Sequence, residues 1–183
     1  IDMNLMAARM GTTVEDFQPE NCNLVRILET VVNNQRSISA EQGIHCDLSR
    51  LPYSITGNEM LLEILFTNLV SNAVKYSPDR TRIDVVGETV NHTAGVNVIN
   101  RGIVIKECER DRICEKFYRA NSAKGISGTG IGLHLSQHLA KLHGGHIIVS
   151  SKSGLGTTFT VHLPSESAAT TLKVGQQSPD DPF

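Results

Sequence analysis

Apolar residues recur along this chain in two rhythms. In three stretches they fall at helical spacing. Leu24, Ile27, Leu28, Val31 and Val32 follow a polar cap near Asn21 or Asn23. Leu61, Leu62, Leu65, Leu69, Val70 and Ala73 follow Asn58, and their wide apolar arc predicts a long helix packed on a sheet. Ile131, Leu133, Leu135, Leu139 and Leu142 predict a third helix from about Gly130 to Leu142, stopped by Gly144 and Gly145. A fourth stripe, Met3, Leu5, Met6 and Met10, reads as a helix end stopped at Gly11, followed by a linker through Phe17 and Pro19. Elsewhere the pattern is that of strands: residues 44–48, 53–56, 82–87 and 95–100, the last two around a turn at 91–94. Residues 146–150 and 157–163 predict a hairpin across 153–156. Residues 101–127 are irregular, with a short helical piece around 110–117. From Ser165 onward, small and polar residues read as a disordered tail. Helices interleaved with antiparallel hairpins predict an α+β fold with helices on one sheet face.

With 183 residues and 39% of them hydrophobic, the chain has enough for one domain and its core. A net charge of −2 argues against a nucleic-acid partner or a membrane surface held by bulk charge. The four cysteines, Cys22, Cys46, Cys108 and Cys114, are scattered without a Cys-x-x-Cys pair, which speaks for reduced thiols and against a zinc or disulfide framework. No apolar run approaches the ~20 residues of a membrane span, and no signal peptide opens the chain. A start at Ile1 rather than Met fits a piece of a longer protein, which leaves a membrane anchor on the parent open.

Two stretches carry chemistry. Gly125, Gly128, Gly130 and Gly132 lead into the third helix, where free backbone N–H groups and the positive dipole end suit an anion. The loop is either a phosphate cradle or a hinge. It is neither a P-loop, since no Gly-Lys-Ser/Thr follows, nor a dinucleotide fingerprint in a strand-turn-helix unit. On the long helix, Asn68 and Asn72 stand four apart on one face, with Lys75 and Tyr76 after them. Two amides in an apolar helix either hydrogen-bond a neighbouring loop or serve a ligand, where an amide oxygen could hold Mg²⁺ and Lys75 could neutralise phosphate.

At these residues the chain resembles the catalytic ATP-binding domain of bacterial sensor histidine kinases. Residues 68–78, Asn-Leu-Val-Ser-Asn-Ala-Val-Lys-Tyr-Ser-Pro, are similar to the asparagine box of that family. Cys114-Glu115-Lys116-Phe117-Tyr118-Arg119 resembles its phenylalanine box, Gly128-Thr129-Gly130-Ile131-Gly132-Leu133 its second glycine box, and Gly156-Thr157-Thr158-Phe159 its terminal hairpin. The resemblance spans about residues 17–164, with the four motifs in order. It implies the Bergerat fold, an α/β sandwich with a mixed sheet, shared with gyrase, Hsp90 and MutL, in which ATP lies under a mobile lid. It further implies that Asn72 ligates Mg²⁺ with Asn68 nearby, and that Lys75 and Tyr76 line the nucleotide pocket. Gly128, Thr129, Gly130, Gly132 and Leu133 would form the phosphate-binding turn, with Thr158 at the terminal hairpin. Residues 118–127 would be the lid, with Arg119 and Lys124 as phosphate contacts.

The first glycine box departs from the family. The family's Asp-x-Gly-x-Gly stands here as Asn100-Arg101-Gly102-Ile103-Val104. Asn100 would take the place of the carboxylate that accepts from the adenine amino group, without charge-assisted strength, and Val104 that of a glycine. Arg101 either points outward or reaches a phosphate. None of the seven histidines has the His-Glu/Asp setting of the family's phosphoacceptor, so no catalytic residue is assigned. Cys114 takes a position usually apolar in the family, which makes it a core residue. Glu63, five residues before Asn68, reads as a surface or lid-contact residue.

The resemblance implies residues 1–12 as the end of a dimerisation helix and linker, 13–164 as the catalytic domain, and 165–183 as the tail. It implies a kinase domain that binds ATP and Mg²⁺ and hands the γ-phosphate to a histidine on its own dimerisation domain. A response regulator would lie downstream, and the parent would be a homodimer, cytoplasmic or with its cytoplasmic part attached to a membrane anchor. The altered first glycine box leaves open a pseudokinase module that acts by docking. An anti-sigma serine kinase is a third reading, against which the phenylalanine box and the helix remnant at residues 1–10 both weigh.

Overall fold

The computed structural model describes residues 17–39, 42–52, 54–123 and 125–165. The expected dimerisation-helix remnant, Lys124 and the tail beyond Ser165 lie outside them. Seven strands and three α-helices are present among the described residues. β1 (Glu20–Cys22) leads into helix α1 (Leu24–Ile38), then β2 (Ile44–Asp47) and β3 (Ile55–Gly57) precede helix α2 (Glu59–Lys75). β4 (Ile83–Val90) and β5 (Thr93–Asn100) form a hairpin, and helix α3 (Gly132–Leu142) is followed by β6 (His146–Lys152) and β7 (Gly156–Pro164).

The main sheet runs in the order β2-β4-β5-β7-β6. β2 is parallel to β4 and every other pair is antiparallel, so the sheet is mixed. β1 and β3 make a separate two-stranded ribbon. The helices lie against one face of the main sheet, with α2 between α1 and α3. On β7, Thr157, Phe159, Val161 and Leu163 are buried under the helices, while Thr158, Thr160 and His162 face the other way. This alternation follows from the two-residue period of a strand.

Local chemistry sets the element ends. Asn23 Oδ1 accepts from Arg26 N at 3.0 Å and caps α1. Asn58 Oδ1 accepts from Leu61 N at 3.1 Å and caps α2. Each such cap satisfies one of the helix's orphan donors, about 1 kcal/mol. Helix α3 has no side-chain cap, because Ile131 precedes it. In the β4–β5 hairpin, Asn91 and His92 take φ of 48° and 59°, the left-handed pair that a two-residue turn requires.

His143 ties the end of α3 to the start of α2. Its Nε2 accepts from the Asn58 N–H at 3.0 Å, so its Nδ1 carries the proton and donates to Leu139 O at 2.7 Å. Phe17 packs edge-on against the ring, with centroids 5.0 Å apart. No described helix is long and apolar enough to cross a membrane.

Four features differ from the sequence expectation. The helical piece expected at 110–117 is a 3-10 turn at Glu107–Glu109 followed by irregular turns, and a second 3-10 turn lies at Asn121–Ala123. β1, read as linker, is a strand whose three residues are too few to show alternation. The β4–β5 strands run closer to their turn than residues 87 and 95. Ser165, expected to open the tail, is buried, and its N–H donates to His92 O at 2.8 Å.

Candidate functional site

A cleft of about 310 Å³ opens between α2, the start of α3, the ends of β5 and β7, and the irregular segment 103–130. Its lining has two characters. Ile103, Ile105, Ile113 and Phe159 make apolar walls, beside Asn100 and Thr157. Asn72, Lys75, Gly128, Thr129 and Gly130 make a polar, cationic part at the uncapped start of α3.

Each polar group is positioned by an identifiable contact. Lys75 occupies the last turn of α2, with its Nζ 2.9 Å from where a Cβ on residue 128 would stand. Burial and then the neighbouring Arg119 charge hold the Lys75 ammonium below its ordinary pKa. Two cations facing one cleft favour an anion there. The Asn72 side chain lines the cleft and makes no hydrogen bond among the described residues. Asn68, one turn earlier, is committed: its Nδ2 donates to Ser136 Oγ of α3 at 2.6 Å, and both residues are buried. A Cβ on residue 132 would lie 2.3 Å from Asn68 Oδ1, so only glycine lets α3 start this close to α2.

Residues 117–130 form a loop with a tied neck. Phe117 N donates to Gly130 O at 3.0 Å, with φ of 68° at Phe117 and 73° at Gly130. A left-handed φ is uncommon for a bulky residue, and Phe117 is also exposed. Glu109 anchors the loop from below. Its Oε1 accepts from Tyr118 Oη at 3.2 Å, Asn121 N at 2.9 Å and Asn121 Nδ2 at 3.1 Å. The Asn121 N–H and these other donors hold the Glu109 carboxyl below the usual range.

Asn100 sits beside Thr157 in the sheet register, and both are buried. Its neighbours orient the amide so that Nδ2 donates to Thr157 O at 3.3 Å and Oδ1 accepts from Gly102 N at 3.2 Å. The backbone at Val104 does not take a positive φ, so a β-branched residue fits there without strain.

The cleft thus brings together Asn68, Asn72, Lys75, Tyr76, Asn100, Arg119, Gly128, Thr129, Gly130, Gly132 and Leu133. Two expectations are corrected, and Arg101, left open, is settled. Thr158 faces away from the cleft, and its neighbours Thr157 and Phe159 line it instead. Gly102 does not line it; it lets the chain pass Tyr76 O, which a Cβ would meet at 1.7 Å. Arg101 turns away to Asp84, Nη1 to Oδ2 2.8 Å. Arg119 lines the cleft but binds its own loop, donating from Nη2 to Ala123 O at 3.0 Å and to Ile126 O. Glu63 is half-exposed and lies outside the cleft lining. Cys114 is half-buried against the core. Sequence reading missed Thr157, Phe159, Ser136 and Glu109. Strand alternation through Val161 and Leu163 carries a signal for the first two. Ser136 and Glu109 have none.

Fold and cleft together define a Bergerat-type domain of the kind found in histidine kinases. The family model described as "Histidine kinase-, DNA gyrase B-, and HSP90-like ATPase" matches residues 57–167, and the chain belongs to that family. The phosphate regulon sensor protein PhoR of Pseudomonas aeruginosa is 33% identical over 164 residues, 87% of this chain and 37% of PhoR. The sensor-like histidine kinase SenX3 of Mycolicibacterium smegmatis is 37% identical over 114 residues, 61% of this chain and 30% of SenX3. The chain therefore spans about a third of the length of these relatives. Among solved structures, the mycobacterial sensor histidine kinase MprB aligns with a TM-score of 0.73 at 22% identity, over 80% of this chain and 97% of that one. Full-length ShkA in complex with AMPPNP aligns with a TM-score of 0.75 at 22% identity, over 89% of this chain and 34% of that one.

Proposed function

We propose that this domain binds ATP with Mg²⁺ in the cleft and presents the γ-phosphate to a histidine on a separate dimerisation domain, as part of two-component signalling. The observation that carries the reading is the convergence of Lys75, the uncapped N-terminus of α3 and the uncommitted Asn72 amide on one cleft. The apolar walls suit a nucleobase, and the cationic part suits a phosphate chain. No group of three or more His, Cys, Asp or Glu among the described residues could hold a metal. One amide oxygen fits Mg²⁺, which keeps several waters and takes phosphate oxygens rather than an all-protein cage. Asn72 would hold the ion, which when bound supplies charge neutralisation at the phosphates. Lys75 and the α3 N–H groups orient and neutralise the same phosphates, and the loop 117–130 restricts water over them. Phosphotransfer then depends on positioning, and the nucleophile comes from the histidine-bearing partner. In this reading the parent works as a homodimer with a response regulator downstream, with this domain on the cytoplasmic side.

Calorimetric titration with a non-hydrolysable ATP analogue, with and without Mg²⁺, tests the reading. Micromolar affinity, about −8 kcal/mol, is expected, with Mg²⁺ strengthening it. Absence of binding up to millimolar ligand, about −4 kcal/mol, would overturn it and leave the docking module that Asn100 favours. Asn72→Ala is expected to remove the Mg²⁺ dependence while leaving the melting temperature in place.

A further inference from the structure

We infer that Asn100 makes the base end of the cleft tolerant of either an amino or a carbonyl group at position six of a purine. The inference rests on the nucleotide-binding reading above and adds its base selectivity. Ile103, Ile105, Ile113 and Phe159 form walls with the chemistry to hold a flat ring but none to identify it. Identification falls to polar side chains beside them. The Thr157 hydroxyl is already committed, donating to Ile103 O at 3.1 Å and bonded to Ser151 Oγ at 2.8 Å. Asn100, 2% exposed, is different.

A primary amide has two N–H donors and two acceptor lone pairs. One donor is held by Thr157 O and one lone pair by Gly102 N. One donor and one acceptor therefore remain on a side chain that lines the cleft. Adenine offers an exocyclic amino donor beside a ring-nitrogen acceptor, which such an amide matches with two bonds. A six-oxo purine offers a carbonyl acceptor beside a ring N–H donor, which the same two groups also match. The amide need not turn over, which would oppose its NH₂ to Gly102 N–H. The ring shifts by about one atom along the apolar walls instead, and nothing directional on those walls resists the shift. A carboxylate at residue 100 could not do this, since it only accepts. It would repel a carbonyl at position six, and it would also face Thr157 O at close range.

The test compares ATP with inosine triphosphate, which differs at position six and the adjoining ring nitrogen, by titration of this chain with Mg²⁺. Wild-type protein is expected to bind the two within about tenfold of each other, the range of one ordinary hydrogen bond. Asn100→Ala is expected to weaken both together, by about tenfold. Asn100→Asp is expected to favour ATP by up to about a hundredfold, the penalty of an opposed polar pair. A melting curve checks that this variant folds, and if it does not, the wild-type ratio and Asn100→Ala decide. Wild-type rejection of inosine triphosphate by more than a hundredfold would overturn the inference. So would unchanged affinities in Asn100→Ala, which would mean that Asn100 does not touch the base. Binding of neither nucleotide by wild-type protein would instead overturn the nucleotide reading beneath it.

Discussion

Ser136→Ala separates two roles for the asparagine pair on α2. Asn68 and Asn72 share a helix face, yet among the described residues Asn68 has a partner and the Asn72 side chain has none. Ser136 is fully buried and Asn68 is 2% exposed, so water cannot replace the hydroxyl. Removing it strands the Asn68 amide donor, which costs about 1–3 kcal/mol. The Ser136 hydroxyl also leans on Gly132 O at 3.1 Å, a bond within its own helix that contributes little. For a domain of this size about 2–4 °C of melting temperature corresponds to each kcal/mol, so a fall of about 2–12 °C is expected. The double variant Asn68→Leu with Ser136→Ala replaces both partners by apolar groups of similar shape and is expected to recover most of the loss. Urea and thermal unfolding of the two single variants and the double measure the coupling. Titration of the double variant with an ATP analogue, with and without Mg²⁺, completes the experiment. Retained Mg²⁺ dependence is expected, because Asn72 is intact. A stability change under about 0.5 kcal/mol for Ser136→Ala would refute the structural role of the Asn68–Ser136 bond. Loss of Mg²⁺ dependence in a stable double variant would place Asn68 on the ion.

His143 gives the domain a pH response. Burial, the largest influence, holds its pKa below the ordinary 6.5, and protonating Nε2 would also break the bond it accepts from the Asn58 N–H. Below about pH 6.5 the unfolded chain gains a proton that the folded chain refuses, so stability falls as pH drops through that value. Melting temperature against pH checks this, and His143→Gln is expected to start lower and respond less between pH 7 and 5. Gly130→Ala forces a side chain into a φ of 73° and to within 2.7 Å of the Phe117 carbonyl carbon. The left-handed backbone alone costs about 1–2 kcal/mol. Faster proteolysis within residues 118–129 and weaker nucleotide affinity are expected, and an unchanged cleavage rate would count against the tied neck.

Features written in adjacent residues were legible before the structure. The caps at Asn23 and Asn58, the wide arc of α2 and the glycine turn before α3 all depend on near neighbours. Their positions held to within a residue or two. Features that depend on distant partners were not. Asn68 could be placed on a face, but its bond to Ser136 crosses 68 positions and has no local signature. Arg101 left two directions open, and Asp84, across the β4–β5 pair, decided between them. Thr158 was one residue out, and in a strand one residue means the opposite face. β1 owes its existence to pairing with β3, not to its own three residues.

The neck between Phe117 and Gly130 makes the loop above the cleft a self-contained insert. Its two ends meet at one backbone hydrogen bond of 3.0 Å, so the path through 118–129 can lengthen without moving α3 or the sheet. Closing a longer loop costs little, since each doubling of length adds only about 0.6 kcal/mol. Ser127, on the same loop, is exposed and its backbone does not take a positive φ. A dye-bearing residue or a short peptide placed there would report occupancy of the cleft as an optical signal, which makes this domain a scaffold for a nucleotide sensor.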